Sequence, residues 1–391
     1  MRDRKRVLLL ITAAITSVAL LVACQSSPPP AAAPAPTTAA AAAPAAPAPT
    51  AASAPAPAAA PTAAPAAAPA AAPTAASAAA PAKKTMRIGV VQMTQDIAVQ
   101  VAMKEGMQDA AQKMGAQLTL FNGQQKVDLQ ISAMENMIAN KVDAIILNPA
   151  DAAGIVPAVE AANKANIPVI TFDTDAKGGK RAVFVESDNH KFGQLDAEYL
   201  VWALKGKGKI GMLDWPYVSA VTDRDDSFMG VIRNFPGIKI VQTEMAATRE
   251  KGLTGAENIL QAHPDINAFF TINDPGGLGA SQAIKARGLT GKVIIAGGDG
   301  DMEAVKLIKD PNESYKYDSA QFGKEIGRQA FMAAYNTVLG QQVIQHVLIP
   351  VMPITIQNAD KYQGWTGDIP SDLTPAWYST PEWQALCKQI K

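Results

Sequence analysis

The sequence predicts an α/β fold with two lobes, each of them a doubly wound parallel sheet. In the stretch from Ala268 to Gly300, two short apolar runs flank a segment, 277–287, whose apolar residues recur with a helical spacing. A strand, a helix and a strand in this length are typical of a βαβ unit in a parallel sheet. The same alternation occupies both halves of the chain after Met86, which indicates two lobes.

The polar residues that end these two runs indicate where a ligand would bind. Asn273 and Asp274 follow the first run, and Asp299 ends the second. In open parallel sheets, ligands bind just beyond the carboxyl ends of the strands. The sequence therefore predicts a small-molecule site that is built from strand ends.

The individual elements follow from short apolar runs and from helical spacing. Residues 87–93 form an apolar run that predicts a buried first strand. Apolar residues between Val99 and Met114 recur at helical spacings, which predicts an amphipathic helix closed by Gly115. Further strands are predicted at 118–121, 143–148, 168–173, 182–186, 209–213, 238–245, 268–272, 293–296 and 314–318, and further helices at 127–140, 152–165, 189–204, 219–234, 249–262, 276–287 and 302–309.

The composition argues against several classes of protein. Lysine plus arginine equals aspartate plus glutamate at 35 each, so no overall field favours nucleic acid or an anionic membrane. The two cysteines, Cys24 and Cys387, cannot form a disulfide-rich scaffold, and neither they nor the three histidines have metal-site spacing. The sequence contains neither a P-loop nor a Gly-x-Ser-x-Gly motif. We therefore expect no metal, no cofactor and no enzymatic activity, unless an unrecognised carboxylate pair such as Asp173 and Asp299 supplies one.

The N-terminus has the pattern of an export signal followed by a tether. Residues 1–24 combine a basic start, an apolar stretch and two small residues, which is typical of an export signal. The last four, Leu21-Val22-Ala23-Cys24, resemble the lipobox of bacterial lipoproteins, which implies that Cys24 carries the lipid. An uncleaved transmembrane anchor is the alternative, because the apolar run is close to the ~17 residues that can span a bilayer. In either case we expect the globular part outside the cytoplasmic membrane, beyond a disordered Ala/Pro-rich tether over 25–85.

Several motifs resemble those of the ribose-type periplasmic sugar-binding proteins. Residues 142–151 and 167–173 are similar to two strand motifs of that family, and 298–300 is similar to one of its turns. Residues 260–274 resemble a further motif, and the motifs follow one another in the family's order. The resemblance extends over about 86–358, nearly all of the globular part.

This resemblance implies a type I periplasmic-binding-protein fold, in which three crossing segments join two lobes that close over a ligand. Lobe one would comprise 86–187 and 322–351. Lobe two would comprise 188–321 and 352–360, with a final strand near 352–360. Residues 361–391 leave the family pattern, and because three of the five tryptophans lie there we expect an irregular aromatic tail packed on one lobe.

The resemblance also implies a function. Members of the family are extracytoplasmic substrate receptors of ABC importers, so the expected ligand is small and hydroxylated, with a monosaccharide as the first candidate. The expected partners are this ligand and a membrane permease, with no nucleic acid, and a monomer is expected. A nucleoside or a polyol stays open as the ligand, and so does a role as the receptor of a chemotaxis or sensor system.

The resemblance assigns ligand contacts to five positions where strands end or helices begin: Asp173, Arg224, Asn273, Asp299 and Gln321. Carboxylates and amides offer paired acceptors or donors to hydroxyl groups, and arginine offers a rigid fork of donors. Structural alternatives stay open, because Asp173 and Asp299 could cap helices or form turns and Arg224 could pair with neighbouring acids on a helix surface. Since an open cleft is solvated, we expect these groups to contribute little to folding.

Three further residues are added to the predicted site because the sequence departs from the family around it. The loop after the first strand, which holds Asp96, lacks the family's aromatic residues, and Thr174 stands where an arginine often follows the aspartate. Trp215, with Tyr217, could supply the missing flat surface, although packing at a helix start is an equal alternative. We include Asp96, Thr174 and Trp215 in the predicted ligand site.

Overall fold

The computed structural model describes residues 85–390 of the chain. The predicted export signal with Cys24, and the predicted tether up to residue 84, lie outside the described residues. In the part of the chain that is described, no helix combines the length and the apolar character needed to cross a membrane.

Strands and helices alternate along almost the whole of this part. The strands in chain order are β1 (Arg87–Gln92), β2 (Gln117–Asn122), β3 (Ala144–Leu147), β4 (Val169–Phe172), β5 (Val183–Ser187), β6 (Gly208–Asp214), β7 (Ile238–Met245), β8 (Ala268–Thr271), β9 (Ile294–Asp299), β10 (Tyr315–Ala320), β11 (His346–Ile349) and β12 (Met352–Ile354). The α-helices are α1 (Ala98–Met114), α2 (Val127–Ala139), α3 (Val156–Lys164), α4 (Asn189–Ala203), α5 (Ser219–Ile232), α6 (Arg249–Ala262), α7 (Asp274–Ala286), α8 (Met302–Ile308), α9 (Gly323–Val338) and α10 (Pro381–Leu386).

The strands form two separate sheets. The first has the order β11-β5-β4-β3-β1-β2, and all of its neighbours are parallel. The second has the order β12-β10-β9-β8-β6-β7, in which only the edge strand β12 runs antiparallel to its neighbour. The predicted fold class, two parallel-sheet α/β lobes, is confirmed, and each strand and helix predicted from the sequence overlaps an observed one.

Burial of the central strands on both faces of the sheets explains why continuous apolar runs in the sequence predicted them. Every residue of β3, β4, β5 and β8 is buried. Helices cover both faces of a parallel sheet, so its central strands read as continuous apolar runs rather than alternating ones.

The limits of the two lobes stay a prediction. In the structure the chain passes from one sheet to the other after β5, after β10 and after β11.

The expected final strand near 352–360 is shorter in the structure. Strand β12 ends at Ile354, and 359–361 form a 3₁₀ turn. The side chain of Asn358 folds this segment back, because its Oδ1 accepts from the Thr355 backbone nitrogen at 2.8 Å and its Nδ2 donates to the Pro353 carbonyl at 2.7 Å. Local side-chain bonds of this kind compete with a strand ladder.

Helices α4 and α5 approach each other closely at Gly193. A Cβ atom at this position would lie 1.8 Å from the carbonyl oxygen of Arg224, so only glycine allows this spacing. The close contact fixes the turn of α5 that carries Arg224 against α4. Packing between two helices thereby positions one of the predicted site residues.

The C-terminal tail packs against the second sheet and α4. Trp377 is 2% exposed, and its ring lies 5.4 Å from the rings of Tyr199 and Tyr317. Tyr378 donates a hydrogen bond to Glu198 on α4. The sequence predicts an irregular tail, but the structure contains the short helix α10 in it, whose first turn is capped by Thr380.

Candidate ligand-binding site

A cavity of about 90 Å³, here called the inner cavity, lies where the carboxyl ends of the two sheets meet. Its walls come from both sheets: Asp173 and Thr174 follow β4, whereas Asp299 ends β9. The predicted site residues that line the inner cavity are Asp173, Thr174, Trp215, Arg224, Asn273, Asp299 and Gln321. Asp96 does not line it.

Asp173 is held by a buried amide cluster, formed by Gln100 of α1 and by Asn148, which follows β3. Its Oδ2 accepts from Gln100 Nε2 at 2.7 Å and from Asn148 Nδ2 at 3.1 Å, and Asn148 Nδ2 also donates to Gln100 Oε1 at 2.8 Å. Among the described residues, no group donates to Asp173 Oδ1, so this oxygen is available to a ligand. Burial raises the pKa of the Asp173 carboxyl, and the charge of Arg224 opposes that rise.

Whereas Asp173 follows a strand of the first sheet, Asp299 lines the inner cavity from the second. Its Oδ1 accepts from Gln321 Nε2 at 2.6 Å and lies 3.4 Å from Arg224 Nη1. Burial raises the pKa of Asp299 to about 7; the positive charge of Arg224 lowers it, and the nearby carboxylates Asp274 and Asp173 raise it. As at Asp173, the described residues supply no donor to the second oxygen, Oδ2.

Both aspartates have an uncommon backbone conformation. The φ angle is 63° at Asp173 and 149° at Asp299, in the positive region that residues other than glycine seldom occupy. Neither carboxylate caps a helix, since the cap of α8 is Asp301 and the carboxylates of Asp173 and Asp299 bond to side chains. The capping alternative is therefore wrong for both. Backbone strain of this kind persists where the surroundings over-determine it, and it clusters at functional sites.

Arg224 is buried between the two lobes' strand ends. It is 4% exposed, so the surface-pair alternative is wrong, and so is the expectation that solvent surrounds it. Its Nε donates to Asn189 Oδ1 at 2.8 Å and its Nη1 donates to the Ile272 carbonyl at 2.5 Å. The guanidinium carbon lies 3.9 Å from the centroid of the Phe192 ring, a cation–π contact. These bonds leave Nη2 without a partner among the described residues, so it can donate to a ligand.

The anchor of Arg224 extends to the surface. Asn189 Nδ2 donates to Glu186 Oε2 at 2.7 Å, and the other oxygen of Glu186 bonds His346 Nε2 at 2.7 Å. Burial raises the pKa of Glu186 to about 7, while the hydrogen bonds from Asn189 and His346 lower it. The chain of bonds orients the guanidinium from behind.

Gln321 and Asn273 have both ends of their amides engaged. Gln321 Oε1 accepts from Ser187 Oγ at 2.7 Å, so the chain segments that leave β5 and β10 are bonded to each other beside Asp299. Asn273 caps α7 through an Oδ1 bond from the Gly276 nitrogen at 2.9 Å, and its Nδ2 donates to the Ala247 carbonyl at 2.9 Å. Asn273 thus shapes the wall of the cavity while it also serves as a helix cap.

The other three predicted site residues, Asp96, Thr174 and Trp215, lie in different surroundings. Thr174 is buried, and its hydroxyl lies 2.9 Å from Asn148 Oδ1. Trp215 lines the inner cavity, whereas Tyr217 is 51% exposed and meets Trp215 edge to face at 5.0 Å. Asp96 is exposed and accepts a bond from Thr94 Oγ1 at 3.1 Å.

The sequence reasoning missed the residues that support the carboxylates. Asn148 directly follows β3, so the rule that selected the other strand ends would have found it. Gln100 lies inside α1, and Asn189 begins α4; neither position carries a local signal. Also missed was an aliphatic wall that includes Met93, Val218, Val221 and Ile272.

The inner cavity thus combines two kinds of surface. Two carboxylate oxygens and one guanidinium nitrogen are available in it, and aliphatic side chains form further parts of its wall. Hydroxyl groups can donate to the carboxylates and accept from the guanidinium, while C–H surface packs on the wall. A small molecule with hydroxyls on one face suits this arrangement.

Residues 88–342 match the family described as periplasmic binding protein domain. The chain is 34% identical over 271 residues to the ribose import binding protein of Bacillus subtilis (strain 168), which covers 69% of this chain and 87% of that protein. It is similar, with a TM-score of 0.66 and 28% identity, to an ABC transporter periplasmic solute-binding protein from Actinobacillus succinogenes 130z with bound D-allose, covering 71% of this chain and 100% of that chain. An ABC transporter solute-binding protein from Bacillus halodurans C-125 with bound myo-inositol gives a TM-score of 0.67 at 27% identity, covering 71% and 97%. The chain belongs to the ribose-type family of periplasmic sugar-binding proteins.

Proposed function

We propose that the protein is the substrate-binding lipoprotein of an ABC importer. It holds a small hydroxylated ligand, a monosaccharide in the first instance, between two lobes that close on it. It works outside the cytoplasmic membrane as a monomer, anchored through the lipidated Cys24. Its partner is the membrane permease that receives the ligand, and its activity is binding rather than catalysis.

One observation carries this proposal. Asp173 and Asp299 come from different sheets, both have positive φ, and both keep one carboxylate oxygen free of protein donors among the described residues. A carboxylate oxygen that a bound ligand covers without a hydrogen bond costs ~1–3 kcal/mol, so a ligand hydroxyl that donates to each of them is strongly favoured. A ligand that bonds both lobes at once would also favour the closed arrangement.

The relatives support the choice of ligand class. The solved relatives described above hold D-allose and myo-inositol, and the curated relative is named for ribose import. The myo-inositol complex keeps a polyol as a second candidate for this site.

A binding screen tests the proposal. Melting temperature would be measured with D-ribose, D-allose, D-galactose, L-arabinose, myo-inositol and a nucleoside, and each hit would be titrated by calorimetry. A ligand present at a hundred times its Kd stabilises the native state by about 2.7 kcal/mol, which such a screen detects. Absence of binding by every sugar and polyol at millimolar concentration would overturn the proposal.

A matched pair of variants tests the site itself. Asp173→Ala should weaken binding of the hit about ten- to a hundredfold, because a bonded hydroxyl loses its charged acceptor. Asp360→Ala, at a carboxylate whose side chain is 89% exposed, is the control and should bind normally. Equal affinity of the two variants would remove Asp173 from the site.

A further inference from the structure

A second and larger cavity adjoins the inner cavity. It measures about 340 Å³, and we call it the outer cavity. The two cavities share lining residues from both lobes: Ile97, Val99, Gln125, Ala247 and Asp299. Asp299 therefore lines both spaces, which adjoin at the end of β9.

The size of the inner cavity makes the outer one relevant. Sites for small molecules usually enclose ~300–1,000 Å³. The inner cavity, at about 90 Å³, falls well below this range, whereas the outer cavity lies within it. Only the two together offer both the polar cluster and the volume.

The outer cavity has an aromatic ring fixed at its edge. Trp365 lines it and is half-buried. Its indole Nε1 donates to the carbonyl oxygen of Asp299 at 2.6 Å, and its own carbonyl accepts from the Lys324 nitrogen at 3.2 Å. These bonds tie the ring to the end of β9 and to the start of α9, so its position is set before any ligand arrives.

The remaining lining residues make the outer cavity suitable for binding a carbohydrate. Asp96 and Thr248 line the outer cavity and supply acceptors and a hydroxyl donor at its polar side, and Arg249 lines it with both terminal nitrogens bonded to Glu303. Leu278 and Pro275 add apolar surface. An aromatic ring with polar groups around it suits the C–H face and the hydroxyl edge of a sugar ring.

We propose that the outer cavity is a second subsite, which holds a sugar ring joined by a glycosidic bond to the ring in the inner cavity. The ligand with the highest affinity is then a disaccharide, and the monosaccharide of the proposed function is the part of it that the inner cavity holds. This inference rests on the proposed function, since it extends the same site.

The first test compares free sugars with disaccharides by calorimetry on the purified protein. The monosaccharides are D-ribose, D-allose, D-glucose, D-galactose and L-arabinose, and the disaccharides are maltose, cellobiose, lactose, melibiose and arabinobiose. At least one disaccharide should bind ten times more tightly than either of its component sugars. A monosaccharide that binds more tightly than every disaccharide would overturn the second subsite and leave the proposed function intact. No binding by any of these sugars would overturn the second subsite, and the proposed function falls as well if myo-inositol also fails to bind.

The second test blocks the outer cavity alone. Ala98 is exposed at the start of α1 and lines the outer cavity but not the inner one. Ala98→Phe should weaken the disaccharide at least tenfold and leave monosaccharide affinity within twofold of the parent. Gln108→Phe, exposed on the same helix and lining neither cavity, is the matched control. Unchanged disaccharide affinity in Ala98→Phe would refute the subsite.

Discussion

Replacing Arg224 by methionine should destabilise the protein even without a ligand. The substitution keeps the aliphatic stem but removes the donors that satisfy Asn189 Oδ1 and the Ile272 carbonyl. A buried polar group left without a partner costs ~1–3 kcal/mol, so for two such groups we expect a loss of about 3 kcal/mol after relaxation. For a folded part of this size that is a fall in Tm of roughly 5 °C.

The loss should grow with pH, because Arg224 also stabilises the ionised form of Asp299. In the parent, the folded pKa of Asp299 is about 7, against ~3.9 in an unfolded chain. The stabilising effect of the bound proton is complete below pH ~4 and is lost as pH rises to about 7. Without the guanidinium the folded pKa is higher, so the variant alone keeps losing stability above pH 7, by about 1.4 kcal/mol per pH unit until that pKa is passed.

The assay is urea unfolding followed by tryptophan fluorescence at pH 6.0 and 8.5. The expected difference between parent and Arg224→Met is about 3 kcal/mol at pH 6.0 and is larger at pH 8.5. Arg233→Met, at an exposed residue just past the end of α5, is the control and should stay within ~0.5 kcal/mol of the parent. In an Asp299→Asn background the increase with pH should be smaller, and the part that remains comes from Asp173, whose pKa Arg224 also lowers. A variant as stable as the Arg233 control would refute the role given to this buried network, and an increase of unchanged size in the Asp299→Asn background would refute its assignment to the Asp299 carboxyl.

Four further outcomes are expected. Small-angle scattering should give a smaller radius of gyration with saturating ligand, because hinge closure brings the lobes together; identical profiles would indicate a rigid pocket. Cys24→Ser should abolish fatty-acid labelling, and continued labelling would disprove the lipobox interpretation. Deleting residues 30–80 should leave Tm and affinity unchanged, since an Ala/Pro sequence offers little to bury, and a clear fall in Tm would show that it packs on the domain. Trp377→Ala should cost ~3–5 kcal/mol, because the ring is 2% exposed among other aromatic rings; a change below ~1 kcal/mol by urea unfolding would mean that the tail adds nothing to the fold.

The residues that sequence reasoning could find share a local signal. Asp173 and Asp299 directly follow or end apolar runs, and parallel strands carry ligand sites at those ends. That these positions line one cavity agrees with this reasoning. The role given to Arg224, by contrast, came from the resemblance, since a helical arginine among acids is also common on surfaces.

The residues that were missed have no such signal, because their partners are far away in the chain. Gln100 bonds Asp173 across 73 positions, and Arg224 bonds Asn189 across 35. A glutamine in the first turns of a helix looks like any other solvated residue until the fold places a carboxylate beside it. These distant partners also decide which oxygen of each carboxylate is left without a protein donor among the described residues.

By itself the sequence determined the two sheets, because strands buried on both faces must be continuously apolar and the period of the helices between them is local. It also determined that polar groups end those strands. Only the tertiary structure decided that Arg224 is buried and anchored, that Asn273 donates to the Ala247 carbonyl, and that Trp365 reaches back to the carbonyl of Asp299. Each of these contacts joins segments that meet only after the lobes have packed, so no local pattern could encode them.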